Sequence, residues 1–282
     1  MNISVKNHLT KSETSEILLL NDICNFVDKT HSKPKLSTDL NSNKSIPTFF
    51  LGREDDILVA FLTVFMPEGA IPSVSCFVHP NYRRQRRFTE LFNVVKDLYK
   101  GYGINEFMFE INAKSMDGIK AVDSFGNLEL HHRNYFMELD SYTSVIDNNP
   151  IEIKEVTSEL IPELSTAINE CSDSYLVVDG FKQGINSLDR SSFAAYKDGE
   201  VIGFFSIYHN DESEEFYGVS IRKSLRSKGL GKLMLDAAVK FALECEKPLC
   251  ASVDSENPAA YHLYTSMGFM RTDRTDYYVY KS

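Results

Sequence analysis

Long apolar runs are what this 282-residue chain has least of. The most apolar early stretch, EILLLNDICNFV, is broken by Asn21 and Asp22. No run reaches the ~18 residues that a membrane-spanning helix needs. The opening MNISVKNHLTKSETSE has no apolar centre of the kind a secretory leader carries, so a cytoplasmic protein is expected. Cysteine is sparse and odd in number: Cys24, Cys76, Cys171, Cys245 and Cys250, with no C-x-x-C pair. That usage fits reduced thiols rather than a disulfide framework or a zinc site. The seven histidines show no metal-ligand spacing, and no G-x-S-x-G elbow occurs, so neither a metal nor a serine nucleophile is expected. Positive charge is also short. Thirty Lys and Arg face 40 Asp and Glu, giving a net charge of −10 and a pI near 5.2. A chain of that sign repels nucleic acid and anionic membranes, so neither is expected as a partner.

What the chain does have is a repeat. TFFLGREDDILVAFLTVFM reads as strand, Asp-containing turn, strand, and SSFAAYKDGEVIGFFSIYH reads the same way. Each hairpin leads to a further strand, at 73–80 and 215–221. A helix then follows, with apolar residues at i, i+3 and i+4: Phe88, Leu91, Phe92, Val95 in one block, Leu230, Leu233, Met234, Ala237 in the other. A short strand, a second helix and a closing strand complete each block. The order helix, hairpin, strand, helix, strand, helix, strand predicts an α/β fold with a mixed sheet, built twice. Residues 31–47 read as a loop. DSYTSVIDNNP, 140–150, reads as the boundary between domains 1–145 and 150–282.

Between strand and helix in the second block stands RSKGLG, residues 226–231. Glycine ahead of a helix lets an anion approach the unpaired N–H groups of the first turn, where the helix dipole is positive. Arg226, Lys228 and Lys232 add positive charge. The segment is therefore suited to a pyrophosphate. It is not a Walker A loop, because Arg226 fills the first Gly position and Leu233 the Ser/Thr position. It is not a dinucleotide fingerprint either, because Met234 stands where a third Gly belongs. Alone, the hexapeptide reads equally well as an ordinary turn.

Farther along comes ENPAAYHLYTSMGF, residues 256–269. Together, Val219, Ile221, Arg226, Gly229, Gly231, Asn257, Ala260, Leu263, Tyr264, Gly268 and Phe269 resemble the pattern of the GNAT superfamily of acyl-CoA-dependent N-acetyltransferases. The resemblance covers most of 151–282. It implies acetyl-CoA as co-substrate. Arg226, Ser227, Lys228, Gly229, Leu230, Gly231 and Lys232 would wrap the pyrophosphate. Val219 and Ile221 would offer backbone groups to the pantetheine arm, and Asn257 would contact the same arm. Tyr264 would protonate the departing thiolate. His262, beside it, points off that helix face and reads as surface.

An alkylamine with pKa near 10.4 is about one part in a thousand neutral at pH 7, a shortage worth about 4 kcal/mol, so a base is expected. In the resembling family a carboxylate on the strand before the loop often serves, and Glu215 has that place. Glu214 should face the other way by strand alternation. The run DESEE reads equally as a solvated acidic loop. The acceptor pocket is expected to draw on 10–30 and 160–190, with Asp173, Tyr175 and Asp179 near it.

The first block keeps the rhythm but not the residues. FVHPNYRRQRRF holds Val78, Pro80 and Arg83 in place, yet Arg86 and Phe88 occupy the two glycine positions. Ser115, Gly118, Val122 and Gly126 take the places of Asn257, Ala260, Tyr264 and Gly268. This block is expected to be catalytically silent and to bind the cofactor weakly or not at all. The competing reading of Arg83, Arg84, Arg86 and Arg87 is a grip on phosphate by side chains. Three functions stay open: acetyl transfer to a small amine, acetyl transfer to a protein N-terminus or lysine, and a coenzyme A sensor without turnover.

Overall fold

The computed structural model describes residues 1–39, 41–126, 128–142, 146, 148–171, 185 and 189–281. The chain forms two compact units, Met1–Asn134 with Asp273–Ser282, and Tyr135–Thr272.

In the first unit the strands are β1 (Asn2–Lys6), β2 (Phe49–Glu54), β3 (Ile57–Phe65), β4 (Ser73–Val78), β5 (Glu106–Asn112) and the opening of β6 (Leu128–Leu139). The helices are α1 (Lys11–Asp28), α2 (Arg87–Lys100) and α3 (Met116–Asp123). Helix α1 starts at a capping box written in the sequence as T-x-x-E. Glu13 N donates to Thr10 Oγ1 at 3.2 Å, and Thr10 N donates to Glu13 Oε2 at 2.9 Å. Strand alternation sends Phe49, Leu51 and Phe61 to the face that buries Ile17, Leu20 and Cys24 of α1. Phe50 and Leu62 go to the opposite face, against Leu91, Phe92 and Val95 of α2. Each fully buried Leu, Phe or Val contributes about 1.5–3 kcal/mol.

In the second unit β7 (Glu152–Glu155), β8 (Arg190–Lys197), β9 (Glu200–His209), β10 (Glu214–Ile221) and β11 (Leu249–Asp254) follow the end of β6. The helices are α4 (Ile161–Cys171), α5 (Leu230–Leu243) and α6 (Pro258–Thr265). Helix α4 packs on Ala194 and Phe204. Helices α5 and α6 pack on the other face, over Phe205, Phe216, Ala251 and Val253.

The sequence expectation ended the second domain at residue 282; the compact units divide the closing strand. Strand β12 (Phe269–Lys281) begins in the second unit, but its residues from Asp273 belong to the first. There they pair antiparallel with β5, Tyr280 opposite Phe107 and Tyr278 opposite Phe109. The cause is aromatic. Tyr280 meets Phe92 edge-on at 5.4 Å between centroids, inside the cluster of Phe92, Phe107, Phe109 and Phe125.

Two strands escaped the sequence reading. β1 pairs with β2 and β7 with β8, and each is the outer strand of its unit's sheet. Both are short and half-exposed, so they lack a strong apolar alternation. Among the described residues no helix is long and apolar enough to cross a membrane.

Candidate functional site

The second unit's site begins where two parallel strands part. β10 and β11 pair at Glu214–Leu249, Glu215–Cys250 and Phe216–Ala251, and the ladder stops there. Just beyond, β10 bulges between Tyr217 and Ser220, with Gly218 at φ 63°. The bulge turns Val219 and Ile221 along the opening, with main-chain groups that β11 does not engage. On the far side, β11 runs on to Asp254 and into α6.

At the mouth of this opening lies RSKGLG. Lys223–Leu225 form one 3-10 turn, Ser227 is left-handed at φ 62°, and Gly229 precedes α5 at φ 77°. A Cβ built on Gly229 meets nothing within 4 Å. Backbone conformation therefore favours glycine, and the space before the amides is clear. No side chain caps α5, and its first turn holds no acid. Helix α1, by contrast, is doubly capped. An uncapped, acid-free helix start with Lys228 and Lys232 beside it favours an anion.

Three expected ligands have structural work as well. Arg226 was expected to add mobile charge, but its guanidinium is held by main chain. Nε donates to Ile221 O at 3.1 Å and Nη2 to Cys171 O at 2.9 Å. It staples the end of β10 to the end of α4. Asn257 Oδ1 accepts from Ala260 N at 3.0 Å and so caps α6, which leaves its amide N–H groups as the available donors. Lys228 Nζ donates to Ser224 O at 3.0 Å.

Tyr264, on α6, is buried at 4% exposure and packs edge-on against Phe269 at 5.2 Å. Burial pushes its phenol up, and the Glu215 carboxylate adds to that, so it stays protonated at neutral pH. His262 is exposed. Glu214 and Glu215 do face opposite ways. Glu214 is buried, paired with His209 and, at 3.3 Å, with Lys247. Glu215 is half-exposed and accepts from Ser252 Oγ at 2.8 Å. It shares a recess of about 240 Å³ with Arg190, Tyr208 and Tyr217. Those three were not singled out in the sequence. The signal was cross-strand register, since Glu215 pairs with Tyr208 and Tyr208 with Arg190. Burial, then Asp189, raises the Tyr208 phenol. Asp173, Tyr175 and Asp179 lie outside the described residues. No cluster of three or more His, Cys, Asp or Glu among the described residues is placed to hold a metal.

The first unit reproduces the loop. His79 has φ −52° and ψ 133°, against −50° and 134° for Arg222. Arg84 matches Ser227 at φ 61°, and Arg86 stands in place of Gly229 at φ 63°. Arg83 Nε donates to Val78 O at 3.0 Å, as Arg226 does to Ile221 O.

Residues 154–269 match the model of the acetyltransferase (GNAT) family. That segment, within the second unit, is similar to a GNAT domain. Three solved structures extend the likeness. A GCN5-related N-acetyltransferase from Sphaerobacter thermophilus superposes with TM-score 0.75 at 14% identity, covering 99% of this chain and 95% of that one. A tandem GNAT protein from the clavulanic acid biosynthesis pathway also gives 0.75 at 14% identity, over 99% and 98%. A GNAT-family acetyltransferase from Colwellia psychrerythraea gives 0.68 at 14% identity, over 100% of both chains. At such identities the structures establish the fold, and over the whole chain it is that of a tandem GNAT protein. Gly229, Gly231, Asn257 and Tyr264 all fall within the matched GNAT domain.

Proposed function

We propose that the GNAT domain transfers an acetyl group from acetyl-CoA to a primary amine by direct attack. The carrying observation is the conjunction of an open, uncapped, acid-free helix start with a buried phenol. The residues fit the co-substrate: Gly229 leaves the space before the amides clear, and the parted strands leave Val219 and Ile221 without a β11 partner. Ser227 to Lys232 would face its diphosphate, and the Asn257 amide and the β10 main chain its arm.

Acetyl-CoA supplies an acyl group already activated as a thioester. The protein's part is protons and position. Glu215, hydrogen-bonded by Ser252 and open to the recess, takes a proton from the amine, directly or through water. Tyr264, kept protonated by its apolar surroundings, offers its O–H to the departing thiolate. The Glu215 carboxylate suits a cationic acceptor through charge, with the Tyr217 ring beside it, while the Tyr208 ring already carries the Arg190 guanidinium at 5.5 Å. A small amine or a peptide amine carries that same group. The first unit, with Val122 where Tyr264 would be, lacks the phenol and is proposed to be non-catalytic.

The test is release of free thiol from acetyl-CoA across a panel of small and peptidic amines. Acceptor-dependent release supports the proposal. Tight coenzyme A binding with no release for any amine would replace it with a sensor.

A further inference from the structure

Arg190, Tyr208 and Glu215 share the recess of the second unit, and each has a chain neighbour on the other face of the sheet. Strand alternation turns Ser191, His209 and Glu214 to that face, and there they meet. His209 Nε2 stands 2.9 Å from Ser191 Oγ, and His209 Nδ1 is bonded to Glu214 Oε2. The other oxygen of Glu214 faces Lys247 Nζ at 3.3 Å.

The order hydroxyl, imidazole, carboxylate assigns the protons. A carboxylate accepts, so Nδ1 carries the ring proton. Nε2 then keeps its lone pair, and the Ser191 hydroxyl donates to it. Lys247 and His209 between them satisfy the buried Glu214. The bond from Ser191 is not needed for that, and its effect falls on the hydroxyl.

Rigid elements hold the set. Ser191 is on β8, His209 on β9 and Glu214 on β10, three successive strands of the sheet. Glu214 is opposite His209 in register, and Ser191 is opposite Ile207, two residues from His209 on the same face. Exposure is graded to suit a reactive hydroxyl. The Glu214 side chain is 4% exposed and that of His209 32%, while Ser191 is half-buried. Apolar surface stands close by. Phe193 follows Ser191 by two residues on its face of β8 and meets Phe241 edge-on at 5.0 Å. Phe241 and Leu243, at the end of α5, are exposed and suit a short acyl chain. Without a G-x-S-x-G elbow the sequence gives no sign of this set, because strand register alone brings its members together.

We infer that Ser191 is an activated nucleophile, on the opposite face of the sheet from Glu215, that takes the acyl group of small activated esters and passes it to water. Ser191 Oγ attacks the ester carbonyl carbon while its proton moves to His209 Nε2. The bond from that carbon to the leaving oxygen breaks, and the departing alcohol takes the proton from the imidazolium. Water, deprotonated by the same nitrogen, then splits the Ser191 ester, which yields the carboxylic acid and restores the hydroxyl. Ser191 and His209 are the catalytic residues, and Glu214 is a positioning residue that holds the ring and its tautomer. The inference does not depend on acetyl transfer by the same unit.

The experiment treats the full chain with a fluorophosphonate, from which an activated serine displaces fluoride, and follows the product by intact mass and peptide mapping. Hydrolysis of p-nitrophenyl acetate is measured in parallel. The expected result is an adduct on Ser191 that Ser191→Ala lacks. His209→Gln should slow labelling and hydrolysis about 10²-fold or more, as loss of a general base does. Nitrogen NMR of the His209 ring should show its proton on Nδ1, a preference that Glu214→Gln removes. No adduct, an adduct elsewhere, a labelling rate that His209→Gln leaves unchanged, or a wild-type ring proton on Nε2 overturns the inference. Circular dichroism of the variants confirms that the fold is intact.

Discussion

Gly203 and the carbonyl of Ser220 are pressed together: a Cβ built on Gly203 falls 2.3 Å from Ser220 O. Gly203 pairs with Ile221, so its bare backbone is what lets β9 follow the bulge of β10. Ile221 Cδ1 and Met234 Sδ stand at 2.9 and 3.0 Å from the same point, which blocks an easy escape. Gly203→Ala is expected to destabilise the protein by roughly 1–3 kcal/mol. It should also weaken acetyl-CoA binding, since it displaces the strand that carries Val219 and Ile221. Thermal denaturation and a binding titration check both.

Glu215→Gln keeps the hydrogen bond from Ser252 but removes the proton acceptor. Turnover at neutral pH is expected to fall about 10²-fold or more. The deficit should shrink as pH rises toward the acceptor's own pKa, because the amine then arrives neutral. A pH profile of kcat/KM for variant and wild type measures this. Parallel profiles would remove Glu215 from the proton path.

Tyr264→Phe deletes one oxygen from a buried site and keeps the ring against Phe269. Acetyl-CoA affinity should be nearly unchanged, while kcat drops by roughly 10²-fold or more. The split between binding and turnover is the readout. Equal losses in both would make Tyr264 a packing residue.

Asp236 on α5 is fully buried and accepts from Tyr142 Oη at 2.7 Å and Asn149 Nδ2 at 2.9 Å, with Lys240 Nζ at 3.0 Å. Burial alone would raise its carboxyl, but the hydrogen bonds from Asn149, Tyr142 and Lys240 outweigh it and hold the group below its ordinary 3.8. A depressed carboxyl stabilises the fold above its unfolded value and loses that contribution as pH falls through the folded one. Asp236→Asn is expected to cost roughly 1–3 kcal/mol at pH 7. The gap from wild type should narrow below pH ~3.8 as the wild type loses its own contribution. Denaturation midpoints between pH 7 and pH 3 test the sign.

Much of this was written locally in the sequence. The helices over Arg87–Lys100 and Leu230–Leu243 follow from i, i+3, i+4 spacing, and the hairpins from their Asp-containing turns. What depended on distant pairing was not legible. YYVYK reads as a strand, but nothing local says that it pairs with EFMFEI. The neighbours of Glu215 come from β8 and β9, through a register that alternation does not fix. Arg226 reads as a phosphate ligand because it is charged and beside glycine. Its two carbonyl partners, Ile221 and Cys171, are visible only once β10 and α4 are in place.

The exchanged end of β12 has a consequence for synthesis. The amino-terminal unit lacks Tyr278 and Tyr280 until residues beyond Asp273 have been made, so it waits for the end of β12 to emerge, although its own hairpins are made first. A nascent chain therefore exposes the β5 edge and its phenylalanines until β12 emerges, and a stop codon placed after Thr272 would leave them uncovered.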